Sequence, residues 1–398
     1  ELVEGLNDSQ QLANTLDLLG LAYLLGGNLT ASVQIYHRAI ALSRELDDRP
    51  RLLTGLIARA VSVSVLIMLA SVPVQAPPDA LGDLETAIRI AREIDSPVDE
   101  AWAHWALGQL HILRGRFGLA MEALHSGLRI ASTIGHREYV LANRFVLGVL
   151  YSELLAPEQA LRHLTEARAL AGELGSQLHI HYVTGALAGV HCFLGDMTGA
   201  QSCLETVLSQ PTPMDTLGNR YCWTRRAELA MAQGDPALAL EITKALIASA
   251  PGLEPGRVVT YLWWLKGEAL AGLGRTDQAL CLLQAAAHNA QAVGERFLQW
   301  RVHASLGRLH RARGSQSEAA EELSTASELI QELAGTTPSE KLRDGFLQRA
   351  HARLEPSSQC GQCSGIEMRG TVRPATDGSK IQSPVDILSE KGVENEHR

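Results

Sequence analysis

Apolar residues between positions 9 and 335 recur at the three- and four-residue spacing of helices, without the alternation typical of strands. The stretch "AWAHWALGQLHILRG" ends one such helical pattern at Gly115. Glycine suits this place because it adopts the left-handed conformation that ends a helix without a steric cost. Equivalent turn glycines are Gly27, Gly195, Gly234, Gly274 and Gly314. Gly195 follows Gly115 by 80 residues and the later gaps are 39, 40 and 40, so the chain repeats about every 40 residues.

Each repeat carries small and large residues at fixed distances from its turn. A small residue stands seven positions before the turn, a second stands five positions after it, and a larger residue follows four positions later. The first set is Gly20, Gly108, Gly148, Ala188, Ala227, Gly267 and Gly307; the second is Ser32, Ala120, Ala160, Ala200, Ala239, Ala279 and Ala319; the third is Tyr36, Leu124, Leu164, Leu204, Thr243, Leu283 and Leu323. This pattern predicts helical hairpins whose two helices approach closely at the small residues. We expect the larger residues to fill the space between neighbouring hairpins.

Two places interrupt the period. The turn expected at 155 has Leu155 followed by Pro157, and we expect it to form without its glycine. The 88 residues from Gly27 to Gly115 fit one further copy with an eight-residue insertion. Eight copies result, at about 9–48, 51–96, 97–136, 137–176, 177–215, 216–255, 256–295 and 296–335. The sequence therefore predicts an all-α solenoid in which each hairpin packs on its neighbours.

The repeat resembles the tetratricopeptide repeat, whose loose consensus has Gly at position eight, Tyr at eleven and Ala at twenty and twenty-seven. The first copy has Gly20, Tyr23, Ser32 and Ala39 at those positions; the third has Gly108, His111, Ala120 and Gly127; the seventh has Gly267, Leu270, Ala279 and Ala286. The period here is about 40 residues rather than about 34. The resemblance implies a right-handed α-α superhelix whose first helices line a concave face.

In tetratricopeptide arrays the concave face is formed at about the second, fifth and ninth positions of each copy, and aromatic residues concentrate there in this chain. Aromatic side chains in a groove offer large contact area, and those of Tyr and Trp add a polar group. The candidate groove residues are Trp102, Trp105, Gln109, Phe145, Tyr182, Tyr221, Glu228, Tyr261, Trp264, Glu268, Arg301, Arg308 and Arg311, with the three arginines near one end. The alternative is that the aromatic residues only pack neighbouring hairpins together.

The sequence of residues 336–356 predicts a helix that closes the stack of hairpins. Thr337 and Glu340 fit a capping box, with Pro338 at the first helical position. This helix resembles the one that ends the repeat region of MalT-like bacterial transcription regulators and of some repeat-bearing adenylate cyclases. That resemblance implies that the repeats are the sensor arm of a longer chain.

Residues 357–398 lose the period, and we expect them to be disordered because they are rich in Gly, Ser, Pro and charged residues. Cys360 and Cys363 form a CxxC motif in this tail. No second pair of ligands for zinc stands nearby, and the thioredoxin-like context of a redox motif is absent.

Composition and motifs favour binding over catalysis. Hydrophobic residues make up 46% of the 398, which supports continuous burial, and a net charge of −9 does not imply nucleic-acid binding. No phosphate-binding loop, nucleophile elbow or zinc-protease motif occurs, so we expect no catalytic residue, metal or cofactor. The uncharged run at 60–74 is shorter than a membrane-spanning helix. With a polar start and no secretory signal, we expect a cytoplasmic protein.

The sequence favours a non-enzymatic module that binds a peptide, a partner domain or a small effector in its concave groove. The alternative is the effector-sensing arm of a MalT-like regulator or a repeat-linked adenylate cyclase, with a small inducer in the groove.

Overall fold

The computed structural model describes residues 9–64, 72–73, 79–208, 212–253 and 257–355. These residues form 17 α-helices and no strand. The helices are α1 Ser9–Leu25, α2 Leu29–Glu45, α3 Arg49–Ser64, α4 Ala80–Glu93, α5 Pro97–Leu113, α6 Phe117–Thr133, α7 Arg137–Glu153, α8 Pro157–Leu174, α9 Gln177–Phe193, α10 Met197–Glu205, α11 Leu217–Ala232, α12 Pro236–Ala248, α13 Thr260–Gly272, α14 Thr276–Val293, α15 Arg296–Ala312, α16 Gln316–Gly335 and α17 Glu340–His351. The tail at 357–398 with its CxxC motif, and most of the insertion before α4, lie outside the described residues.

The helices form an all-α superhelix of consecutive antiparallel hairpins, from α1–α2 to α15–α16, followed by α17. We number the hairpins one to eight in chain order. One hydrophobic core extends along the array, from Leu24 of the first hairpin to Ala350 of α17. None of the described helices has both the length and the apolar character that a bilayer-spanning helix needs.

The turns inside the hairpins adopt the left-handed conformation that the sequence predicts. The φ angles of Gly27, Gly115, Gly195, Gly234, Gly274 and Gly314 lie between 69° and 82°. Leu155 takes the same conformation, with φ 53°, although a β-carbon there costs roughly 1–2 kcal/mol. The prediction of a turn without glycine at this place is therefore confirmed. The Leu155 side chain is only 2% exposed, so its burial offsets the strained backbone.

The close approach of the two helices in a hairpin depends on a glycine facing a leucine. A β-carbon at Gly148 would lie 2.5 Å from Cγ of Leu164, and one at Gly108 would lie 2.5 Å from Cγ of Leu124. Each leucine thus packs on the glycine of its own hairpin.

The turn of the third hairpin contacts the chain after the eighth. The backbone N–H of Gly118 donates to the carbonyl oxygen of Thr336 at 3.0 Å, and the Thr336 hydroxyl donates to the carbonyl oxygen of Gly115 at 2.9 Å. Phe346 of α17 is fully buried and meets the ring of Phe117 edge-on, with centroids 6.2 Å apart. We call these contacts the seam.

The fourth hairpin extends the seam. Arg349 of α17 donates from Nη1 to the carbonyl oxygen of Leu155 at 2.8 Å. Arg301 of α15 forms an ion pair with Glu153 of α7, with Nη2 2.8 Å from Oε2. Hairpins three and four therefore lie directly against hairpin eight and α17.

Alanine at Gly148 tests the close approach. We expect Gly148→Ala to lower the free energy of unfolding by about 1–3 kcal/mol, because the new methyl group would overlap Leu164. Gly172 is the matched control, since it lies in the second helix of the same hairpin and a β-carbon there meets nothing within 4 Å. Gly172→Ala should raise stability by about 0.5–1 kcal/mol through helix propensity. Urea unfolding measures the free energy of unfolding of both variants, and equal changes would contradict the close helix approach at Gly148.

Glu295 gives a second test, by pH. Burial raises the pKa of this carboxyl from 4.5 to about 7, opposed by a hydrogen bond with Thr260. The folded state therefore holds the proton more tightly than the unfolded state, and stability should fall as pH rises from 4.5 through 7. Glu295→Gln cannot ionise, so we expect it to be more stable than wild type at pH 8 by up to about 3 kcal/mol, with little difference near pH 4.5. Thermal unfolding of wild type and Glu295→Gln between pH 4.5 and 8 measures this difference in stability. A difference that does not change with pH would contradict the raised pKa of Glu295.

Candidate functional site

The first helices of hairpins four to eight line a cavity of about 460 Å³. Helices α7, α9, α11, α13 and α15 contribute its walls, and Arg353, just after α17, lies at one side. The lining residues include Glu153, Gly189, Cys192, Phe193, Tyr221, Arg225, Glu228, Tyr261, Trp264, Glu268, Arg301 and Arg353. The cavity is thus the place where the side chains of five hairpins meet.

Six of the thirteen candidate groove residues line this cavity. They are Tyr221, Glu228, Tyr261, Trp264, Glu268 and Arg301. Arg308 lies at its edge and donates to Glu268 at 3.2 Å.

The other six candidates lie outside the cavity lining. Gln109, Phe145 and Tyr182 are 1%, 3% and 5% exposed, so they pack between first helices instead of facing open space. The rings of Phe145 and Tyr182 stack at 6.2 Å. The half-buried side chains of Trp102, Trp105 and Arg311 also lie elsewhere.

Arg225 of α11 is the centre of the cavity's polar network. Its Nη1 donates to both carboxylate oxygens of Glu228, at 2.8 and 2.7 Å, and its Nη2 donates to the Tyr221 hydroxyl at 3.2 Å. The Tyr261 hydroxyl donates to Glu228 Oε1 at 2.5 Å, which joins α13 to α11. The sequence pattern missed Arg225, although helical spacing places it four residues after Tyr221 and three before Glu228, on the same face.

Small residues on α9 make room for this network. A β-carbon at Gly185 would lie 2.8 Å from Cδ1 of Tyr221, which would force the ring to move. A β-carbon at Gly189 would lie 3.6 Å from Cδ of Arg225, in ordinary contact. The Tyr221 ring therefore fits because α9 carries a glycine opposite it, whereas Arg225 would also fit beside an alanine at position 189.

The surroundings of the network keep its hydrogen-bond donors protonated. Burial and the nearby carboxylate of Glu228 raise the pKa of Tyr261, and they also raise the pKa of the Cys192 thiol to about 12. Burial alone would lower the pKa of Arg225, but the charge of Glu228 outweighs it and the pKa is raised. At neutral pH the phenol and the thiol therefore keep their protons and the guanidinium its charge.

Among the residues that the structure describes, no group of three or more His, Cys, Asp or Glu side chains is placed to hold a metal ion. The chemistry that the cavity presents is that of aromatic faces, hydrogen-bond donors and paired charges.

No family model and no curated protein matches this chain. Solved structures that are similar to it include a tetratricopeptide repeat protein from Parabacteroides merdae, with 14% identity, a TM-score of 0.38 and coverage of 79% of this chain and 98% of that one. A Rap protein complexed with competence and sporulation factor has 12% identity, a TM-score of 0.49 and coverage of 87% and 99%. Yeast Tom70 has 12% identity, a TM-score of 0.35 and coverage of 87% and 96%. At these identities and TM-scores the similarities say nothing about what this chain binds.

A double-mutant cycle tests the network. We expect Arg225→Met and Glu228→Gln to be coupled by about 1–3 kcal/mol in unfolding free energy, because either change alone leaves a partly buried charge unpaired. The matched control pair is Arg308 with Glu268, whose side chains are 38% and 25% exposed. The side chains of Arg225 and Glu228 are only 17% and 18% exposed. Its coupling should stay below about 1 kcal/mol. Equal couplings would contradict the central role of Arg225.

Proposed function

We propose that this protein is a non-catalytic interaction module that binds an extended peptide segment of a partner protein in the cavity. The aromatic lining supports this. Tyr261 and Trp264 meet edge-on at 5.2 Å and both line the cavity. Rigid aromatic side chains of this kind supply much of the binding energy at protein interfaces.

The hydrogen bonds of the lining also suit a peptide. The indole N–H of Trp264 donates to the Ser305 hydroxyl at 2.9 Å, which fixes the orientation of its ring. Arg225 and Tyr261 are held by Glu228 in the same way. A site whose side chains are already oriented loses less conformational entropy on binding, which favours recognition of a flexible segment.

The size of the cavity supports a second candidate, the effector-sensing arm of a MalT-like regulator. A volume of about 460 Å³ lies within the range of about 300–1,000 Å³ typical of small-molecule sites. The ion pair of Glu153 with Arg301 joins hairpins four and eight beside this space. A small inducer bound there would touch both hairpins, so its binding would be coupled to the seam.

Peptide selection separates these proposals. A phage-displayed library of random heptapeptides is selected on the full chain, and the enriched sequences are synthesised and measured by calorimetry. We expect Trp264→Ala to weaken binding by more than about tenfold, as loss of an interface anchor does. Trp105→Ala is the matched control, because it removes a tryptophan side chain from α5, outside the cavity. Its affinity for the peptide should stay within about twofold of wild type.

Equal losses in the two variants, or no loss in Trp264→Ala, would contradict binding in the cavity. If no peptide is enriched while small sugars shift the tryptophan emission of wild type but not of Trp264→Ala, the effector-sensing candidate replaces the peptide one.

A further inference from the structure

One arginine of the cavity lining has no carboxylate partner. The lining holds three arginines, Arg225, Arg301 and Arg353, and three glutamates, Glu153, Glu228 and Glu268. Each glutamate forms an ion pair with another arginine, Glu228 with Arg225, Glu153 with Arg301 and Glu268 with Arg308. Among the described residues Arg353 has no carboxylate within ion-pair distance, so its guanidinium is available to a ligand.

The surroundings of Arg353 hold its guanidinium toward the cavity. Its Cζ lies 4.9 Å from the centre of the Phe193 ring, on the opposite wall formed by α9. Its backbone carbonyl accepts from Nη1 of Arg308 at 3.5 Å. Arg353 is exposed at the protein surface. Partial burial and the nearby charge of Arg301 lower its pKa to about 10, opposed by Glu153, so the guanidinium remains charged at neutral pH.

We infer that Arg353 is an anion subsite of the cavity and that it binds a carboxylate of the ligand. This inference rests on the proposed function, because it assigns the chemistry of the ligand at the same cavity. A guanidinium presents parallel N–H groups that match the two oxygens of a carboxylate. Phe193 covers one face of the Arg353 guanidinium, and the edge of the guanidinium remains free to pair with a carboxylate.

The glutamates of the lining favour a carboxylate ligand over a phosphate group. A phosphate monoester carries nearly two negative charges at neutral pH. The second charge would lie in a cavity that already holds Glu153, Glu228 and Glu268. Like charges in a confined site repel, so the dianion should bind more weakly than the monoanion.

The test uses a matched pair of probes, phenylpropionate and its neutral amide, phenylpropionamide. Each has an aromatic ring for the wall formed by Tyr261 and Trp264, and they differ only in charge. Calorimetry on the full chain should show that the acid binds about tenfold or more tightly than the amide. Arg353→Met should remove that preference, and Arg353→Lys should restore part of it. Arg311→Met, which removes an arginine outside the cavity lining, should keep it.

Equal affinity for acid and amide, no binding of the acid at its solubility limit, or a preference that persists in Arg353→Met would overturn the inference. Tighter binding of phenyl phosphate than of phenylpropionate would overturn the choice of carboxylate.

The comparison needs no peptide, so its outcome is independent of the peptide selection. If the acid binds through Arg353 and no peptide is enriched, the anion subsite stands and the peptide proposal fails. If the enriched peptides bind through Trp264 but do not favour acidic residues, the peptide proposal stands and the anion subsite fails.

Discussion

The cavity depends on the seam between the third hairpin and the chain that follows the eighth. Thr336 accepts from the amide of Gly118 and donates to the carbonyl of Gly115, and Phe346 packs against Phe117 beneath these bonds. The two ends of the seam are more than 200 residues apart in sequence. Beside it, hairpins four and eight meet at the ion pair of Arg301 with Glu153, and both residues line the cavity.

The regularity of the hairpins makes this closure possible. In hairpins three, four, seven and eight a glycine of the first helix lets a leucine of the second helix pack directly on it. Small, equal rotations between similar units accumulate into a superhelix. Five first helices thereby turn the same face to one space. The large ring of Tyr221 fits in that space because α9 has Gly185 opposite it.

The sequence predicted the fold well because its signals are local. A left-handed turn, a small residue facing a large one and a helical period act within one hairpin, and they recur in the seven hairpins whose turns the structure describes. Even the turn at Leu155 was predictable, since the period requires a turn there whatever residue occupies it.

The site was only half predictable, because its pairs join different hairpins. Glu153 and Arg301 belong to the fourth and eighth hairpins, and Arg353 follows the array altogether. A periodic pattern places a residue in its own repeat and does not show which distant repeat will face it. Gln109 and Phe145 illustrate the same limit, because contacts with neighbouring helices bury positions that the pattern predicts to be open.

Hydrogen exchange at the Gly118 amide tests the central claim most directly. Gly118 is the second residue of α6, and the first four N–H groups of a helix have no partner within it. The closed array predicts slow exchange at Gly118, as in the core, because Thr336 accepts its hydrogen. The amide of Asp277, the second residue of α14, lies in the equivalent position away from the seam and should exchange rapidly. Rapid exchange at Gly118, matching that at Asp277, would mean that the seam is open and that the cavity is not enclosed.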